Sequence, residues 1–265
     1  MTTFTSRSNP KIKQIRQLFQ QRKERMATGL FVVEGIRHVG EAAQAGLGLE
    51  YICYAPELLT SEYAQRVIQE QSRLGVPSYA VTAEVFADLA EKENPQGILA
   101  VARQRKVGLR ELNPGNFPWG VALVAPQDAG NIGSILRTVD AVGASGLLLL
   151  ERSADPYHHS AVRASMGTLF WYPVATASFS AFAIWAKQNG YHVYGTSAHA
   201  RRDYQAIEHY QRPLILLMGS EREGLTAEQA AACDELLGMP MKGHATSLNL
   251  AVATGVMLYA MLDKL

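Results

Sequence analysis

The sequence predicts an α/β protein in two domains, and three observations carry that prediction. Apolar runs of strand length alternate with segments of helical periodicity from residue 30 almost to the carboxyl end. A stretch rich in Pro, Gly and Asn, residues 106–118, interrupts both periodicities. The chain's 265 residues exceed the roughly 100–200 of one common domain. Hydrophobic residues at 48% against charged residues at 18% supply a sizeable core and exclude a disordered chain. The domains are therefore set at 1–105 and 119–265, with 106–118 as a linker.

The first domain opens on a basic segment. Residues 1–28 carry seven Lys or Arg against one Glu, in a chain whose net charge is only +1. Ile12, Ile15, Leu18 and Phe19 fall at helical spacing, which puts an apolar stripe on one face and cations on the other. Two readings stand. The segment is an ordinary solvated helix face, or an arm that follows nucleic-acid phosphates through Lys11, Lys13 and Arg16. Beyond it, strands are expected at 30–33, 49–54, 78–81 and 98–102, and helices at 36–45, 61–74 and 83–90. This unit shows no catalytic constellation.

In the second domain the expected strands are 121–125, 146–150, 173–175, 192–196, 214–218 and 236–240, with helices between them and a last helix over 247–262. Strands bracketing helices at this spacing form a mostly parallel sheet covered on both faces.

Several classes are excluded or disfavoured. Near-neutral charge excludes a uniformly basic binder. Cys53 and Cys233 are too few for a disulfide scaffold or a Cys-rich zinc site. The adjacent His158 and His159 are expected to face different ways, with no further ligand beside them, so no metal is expected. Residues 1–7 lack the apolar core of a signal peptide. The longest apolar stretch, 248–262, is about 15 residues against the roughly 20 that cross a bilayer. The chain is expected to be cytoplasmic, with no membrane partner.

Ligands of open α/β sheets bind where strand ends meet loops, and three such junctions are rich in Gly and polar residues. Residues 124–137 run from a strand into a loop with Gly130 and Gly133, then a helix. The pattern lacks the G-x-G-x-x-G of a dinucleotide site, although Glu151 after the next strand could mimic a ribose-binding acid. Asn131 can cap the helix. Arg137 can clamp a phosphate or pair on the surface. Residues 214–225 place Gly219, Ser220, Glu221 and Gly224 after an apolar strand, so a ligand can approach the main chain there. Residues 237–256 lead into a helix apolar almost all round, with Thr246 or Ser247 as its cap and Asn249 as a buried amide needing partners.

Together these segments resemble the SpoU (TrmH) group of SPOUT RNA ribose methyltransferases, over about residues 120–263. Asn131, Gly133 and Arg137 match its first motif. Gly219, Ser220, Glu221 and Gly224 match its second. Pro240, Met241, Ser247, Leu248, Asn249 and Ala251 match its third. One departure is Ala129, where that family usually has proline. The first domain resembles the ribosomal-protein-like substrate-binding domain often placed ahead of this catalytic one, through Asn9-Pro-Lys-Ile-Lys13, Phe31-Val-Val-Glu-Gly35 and Gln96-Gly-Ile98.

The resemblance implies a deep carboxyl-terminal trefoil knot and transfer of methyl from S-adenosylmethionine to a ribose 2′-hydroxyl, most directly in 23S ribosomal RNA. Alternatives are a transfer RNA 2′-O-methyltransferase, or a non-catalytic RNA-binding or ribosome-assembly factor. It implies catalytic roles for Arg137, Asn131, Glu221, Ser247 and Asn249. It implies cofactor contacts from Gly195, Thr196, Met218, Gly219, Glu221, Gly224, Met239, Ser247 and Leu248. Arg163 and Ser165 match a further family segment and are expected at RNA. The family assigns the proton-accepting task to the arginine at position 137. A guanidinium stays protonated, so an orienting role for Arg137 is preferred. The resemblance also implies a homodimer through the carboxyl-terminal domain.

Overall fold

The computed structural model of the chain describes residues 3–91 and 94–265. Met1 and Thr2, part of the stretch read for signal-peptide character, lie outside the described residues. The chain forms two compact units: Met1–Arg105 with Tyr157–Trp171, and Lys106–Pro156 with Tyr172–Leu265.

In the first unit α1 (Pro10–Gln20) begins where the Asn9 side chain accepts from the Lys11 amide, with Pro10 at the first helical position. Ile12, Ile15, Leu18 and Phe19 are buried, as their spacing predicts. There follow α2 (Arg22–Thr28), β1 (Leu30–Glu34), α3 (Ile36–Gln44), β2 (Leu49–Tyr54), α4 (Glu62–Arg73), β3 (Ser78–Ala80), α5 (Ala83–Leu89) and β4 (Ile98–Arg103). The sheet order is β1-β4-β2-β3. Strand β4 lies centrally, antiparallel to β1 and β2, while β3 is parallel to β2. Its central place explains the unbroken apolar run from Ile98 to Ala102, all of it buried.

The second unit does not begin on a free linker. Val107 bridges Ala175, Leu109–Glu111 form a single 3-10 turn, and Leu112 and Phe117 enter the core. Trp185 Nε1 donates to the Leu112 carbonyl at 3.1 Å and the Tyr191 hydroxyl to that of Phe117 at 2.9 Å. Its Pro and Gly mark irregular backbone, not detachment.

From there run β5 (Trp119–Val124), α6 (Ala129–Val142) and β6 (Gly146–Leu150). Then comes α7 (His159–Ala164), whose segment Tyr157–Trp171 belongs to the first unit. The second unit resumes with β7 (Val174–Ala177), α8 (Phe179–Gln188), β8 (His192–Thr196), β9 (Arg202–Asp203), β10 (Leu214–Met218), α9 (Ala227–Ala231), β11 (Glu235–Gly238) and α10 (Leu250–Leu262). The seven strands order as β7-β6-β5-β10-β8-β11-β9, and every pairing is parallel. Strands β5, β6 and β10 are buried at every residue, as a sheet covered on both faces requires.

The last helix starts three residues later than expected. Asn249 caps it, its side-chain oxygen accepting from the Ala251 and Val252 amides, so neither Thr246 nor Ser247 is the cap. One face of α10 packs on α6, burying Ala253, Thr254, Met257, Leu258 and Met261. The other leaves Val252, Val256, Tyr259 and Leu262 exposed. The chain end is gripped by the segment before β10: Tyr210 N donates to the Lys264 carbonyl, and Lys264 Nζ donates to the carbonyls of Gln205 and Ile207 at 2.7 Å each. Among the described residues no helix is long and apolar enough to cross a membrane.

Candidate active site

Strand order reverses direction between β5 and β10. The chain adds β6 and β7 on one side of β5, then builds β8, β10 and β11 on the other. Such a switch point opens a crevice beyond the strand carboxyl ends. The first polar segment leaves β5 there and the second leaves β10 beside it, with Met218 level with Leu123.

A hydrogen-bonded chain joins all three segments. Glu221 Oε1 accepts from Asn131 Nδ2 at 2.7 Å, and Oε2 from the Gln127 amide at 2.9 Å. Asn131 Oδ1 accepts from Asn249 Nδ2 at 3.1 Å. Asn249 Oδ1 in turn accepts from the first turn of α10. The directions are mutually enforced. A carboxylate only accepts, so Asn131 turns its NH2 to Glu221 and its oxygen to Asn249. Asn131 is buried, but it is not the helix cap. Asp128 fills that role by accepting from Gly130 N at 2.7 Å. Asn249, expected to be buried, is exposed.

The second segment closes on itself. Ser220 and Gly224 exchange both backbone hydrogen bonds at 3.0 Å, with Gly224 at φ 68°. A Cβ on Gly219 would lie 2.2 Å from the Gly224 carbonyl carbon, so only glycine fits. Gly195 and Thr196 end β8, which lies between β10 and β11. Thr196 Oγ1 donates to Met218 Sδ at 3.6 Å. Met239 follows β11 directly, and Ser247 and Leu248 precede the cap of α10; both are exposed. No main-chain hydrogen bond is made between residues 240 and 248 among the described residues. Arg137 is exposed on α6, six residues beyond Asn131, with no hydrogen bond or ion pair among the described residues.

Other expectations shift. Ser165 is fully buried, its hydroxyl donating to the Val162 carbonyl at 2.8 Å and accepting from Gly167 N at 3.3 Å. It holds a turn in the first unit and is closed to RNA. Arg163 is exposed in the same unit. In the basic segment, Arg16 pairs with Asp88 and Lys11 Nζ lies 4.2 Å over the Tyr51 ring, while Lys13 is exposed without a partner among the described residues. Arg25 is buried and donates to the carbonyls of Leu18 and Phe19. The His158 and His159 rings do not diverge but lie 4.2 Å apart. The Glu151 carboxylate accepts from Phe179 N at 2.6 Å and so is committed to the start of α8. Burial pushes the thiols of Cys53 and Cys233 up to about 12, which keeps both protonated and poorly nucleophilic. Sequence reasoning missed Gln127, whose only signal was its place one residue beyond Pro126 at a strand end.

An anchored carboxylate, an unengaged guanidinium and a loop of unspent main-chain groups suit a transferase whose substrate bears phosphate. Similarity to known proteins narrows that class. Residues 118–259 match the SpoU rRNA methylase family and residues 9–100 the MRM3-like substrate binding domain. The chain belongs to the SpoU rRNA methylase family. It is 30% identical over 260 residues to the 23S rRNA (guanosine(2553)-2'-O)-methyltransferase RlmP of Bacillus subtilis, covering 98% of each chain. It is 31% identical over 263 residues to the 23S rRNA (uridine(2479)-2'-O)-methyltransferase of Streptomyces viridochromogenes, covering 97% of this chain and 90% of that one. Its structure is similar to that of an AdoMet-bound rRNA methyltransferase from Sinorhizobium meliloti, with a TM-score of 0.90, 35% identity, and coverage of 99% of this chain and 97% of that chain.

Proposed function

We propose that the chain transfers a methyl group from S-adenosylmethionine to a ribose 2′-hydroxyl of 23S ribosomal RNA. The observation that carries this is the Glu221–Asn131–Asn249 chain of hydrogen bonds, which gathers three distant segments at the switch point of a parallel sheet. The names of the two curated relatives support ribosomal RNA as the substrate class.

The donor set fits the cofactor. Among the described residues, 240–248 leave main-chain donors and acceptors unspent just after β11, which pairs with β8; Gly195 and Thr196 end β8, and Met218, Gly219 and Gly224 stand at and beyond the end of β10. An adenine edge and an amino-acid carboxylate are held well by such groups. Met239, Ser247 and Leu248 flank them. S-adenosylmethionine supplies a methyl on a sulfonium that an oxygen nucleophile can take. Arg137 orients an RNA phosphate and the hydroxyl through the planar fork of donors on its guanidinium. Glu221, Asn131 and Asn249 hold the loops in register, with Ser247 at their edge. Lys13 and Arg163, exposed and without an ion-pair partner among the described residues, reach RNA; Arg16 joins them by giving up its surface ion pair with Asp88, which costs little, and Lys11 by leaving the Tyr51 ring.

The family match over residues 118–259 supports a trefoil knot, and Lys264 fixes the chain end to Gln205 and Ile207. The exposed stripe of Leu248, Val252, Val256, Tyr259 and Leu262 supports a homodimer built on α10. A cytoplasmic location follows from the ribosomal substrate.

The test is Arg137→Ala. Transfer of labelled methyl to unmodified ribosomal RNA is expected to fall at least about 100-fold, while calorimetry finds S-adenosylmethionine still bound. Equal loss of binding removes the orienting role. Failure of the unaltered chain to bind the cofactor at millimolar concentration favours an assembly factor.

A further inference from the structure

Two neighbouring strands of the second unit end on residues other than glycine in the left-handed region: Ala125 after β5, at φ 45°, and Glu151 after β6, at φ 61°. The conformation is costly for an L-residue and persists where its surroundings impose it, commonly at functional sites. Backbone bonds secure the amide sides of both turns. Ala125 N donates to the Leu150 carbonyl at 2.9 Å and Glu151 N to that of Ala177 at 3.0 Å. The carbonyl side of the first turn depends on Gln127. Its Nε2 donates to the Ala125 carbonyl at 2.7 Å and to the Arg152 carbonyl at 3.4 Å, so one amide ties the two strained strand ends together. The backbone N–H of the same residue is, with Asn131 Nδ2, one of the donors that hold the Glu221 carboxylate among the described residues.

We propose that Gln127 is a positioning residue for methyl transfer: by pinning the Ala125 and Arg152 carbonyls it aims the backbone N–H that anchors Glu221. This rests on the reading of Glu221 and Asn131 as site residues. Gln127 is exposed, so its amide adds little to global stability; its effect falls on the direction of one donor at the site. Small misplacements of groups at a reacting centre cost rate steeply.

Gln127→Met keeps side-chain length and removes both donors. Gln127→Glu keeps the shape and sets an oxygen against two carbonyls. Both are expected to slow single-turnover transfer to unmodified ribosomal RNA about tenfold, with cofactor affinity unchanged within about threefold and melting temperature within about 2 °C. Glu221→Gln also slows transfer, and the double variant Gln127→Met with Glu221→Gln is no slower than Glu221→Gln alone, because the first acts through the second. An unchanged rate in Gln127→Met, losses that multiply in the double variant, or a loss of rate matched by a loss of melting temperature overturns the proposal while the site reading stands. No effect of Glu221→Gln, or no transfer by the unaltered chain, overturns the site reading itself and the proposal with it.

Discussion

Asn131→Asp tests the link between the three segments, because it changes one hydrogen-bonding group and almost no volume. The amide donates to Glu221 Oε1 at 2.7 Å and accepts from Asn249 Nδ2 at 3.1 Å. The substitution keeps the second bond and sets two carboxyl oxygens in contact in place of the first. With charge centres ~4 Å apart and an effective dielectric near 20, the repulsion between two ionised carboxylates is ~4 kcal/mol, or ~3 pK units. Asn131 is 8% exposed, which keeps water away on one side. Glu221 is exposed on the other, and solvent there reduces the penalty to ~1.5–3 kcal/mol.

The introduced carboxyl and Glu221 therefore share a proton, with an apparent pKa raised above the unfolded value of ~4. A raised folded pKa means that the pair is intact below ~4, with one hydroxyl donating across the gap. Stability is then lost as pH climbs through the folded value. The wild-type amide does not titrate and serves as reference. Urea unfolding, followed through Trp119 and Trp185 of the second unit, is expected to show a penalty under ~1 kcal/mol at pH 4.5 that grows to ~1.5–3 kcal/mol at pH 7.5. A penalty equal at both pH values within ~0.5 kcal/mol would refute the contact between Asn131 and Glu221.

Three further outcomes follow from single positions. Ala129 is the first residue of α6, after an Asp128 at φ −98° and ψ 117°, and its amide makes no hydrogen bond among the described residues; Ala129→Pro should stabilise by ~0.4–1 kcal/mol in denaturant unfolding, and a loss would show that the turn needs another conformation. Gly219→Ala forces a Cβ to within 2.5 Å of Leu225 N as well as onto Gly224; a cost of ~1–3 kcal/mol and weakened cofactor binding by calorimetry are expected, and unchanged affinity would detach this turn from the cofactor. Burial holds the His159 imidazole below the ordinary histidine range, with Arg163 and Arg25 adding to that and Glu91 opposing it. The unfolded chain takes up a proton below ~6.5 while the folded one does not, so stability falls as pH drops through ~6.5 toward the lower folded value. His159→Gln should remove that fall, and an identical pH profile in the two proteins would refute the assignment.

Strands at 49–54, 146–150, 192–196 and 214–218 are legible in the sequence to the residue. The reason is physical: 146–150 and 214–218 are apolar runs, and all four strands are bounded within two residues by glycine, proline or a polar turn. Strand β9 was not legible, because Arg202–Asp203 is short and polar and exists only through its pairing with β11. Arg25 reads as a surface cation, since nothing local shows that two carbonyls of α1 will receive its guanidinium. The same holds for Tyr157–Trp171, whose membership of the first unit is decided by contacts distant in sequence. Tyr157 packs on Phe31 at 4.7 Å, His38 Nε2 lies 3.3 Å from the Arg163 carbonyl, and Trp171 Nε1 donates to Glu41 at 3.1 Å.

The helix cap shows why the residue types of the site were legible and its wiring was not. Thr246, Ser247 and Asn249 are all good caps, and propensity alone does not choose among them. What chooses is the second hydrogen-bonding group on the side chain. A serine or threonine hydroxyl that caps α10 would carry no amide NH2 to offer the first segment. Asn249 spends its oxygen on Ala251 and Val252 and still has Nδ2 for Asn131. The start of α10 and the geometry of the crevice are thus one constraint. Asn249→Ser would keep the cap and cut the link to Asn131, so it separates the helix's stability from the site's alignment, which Asn249→Ala cannot do.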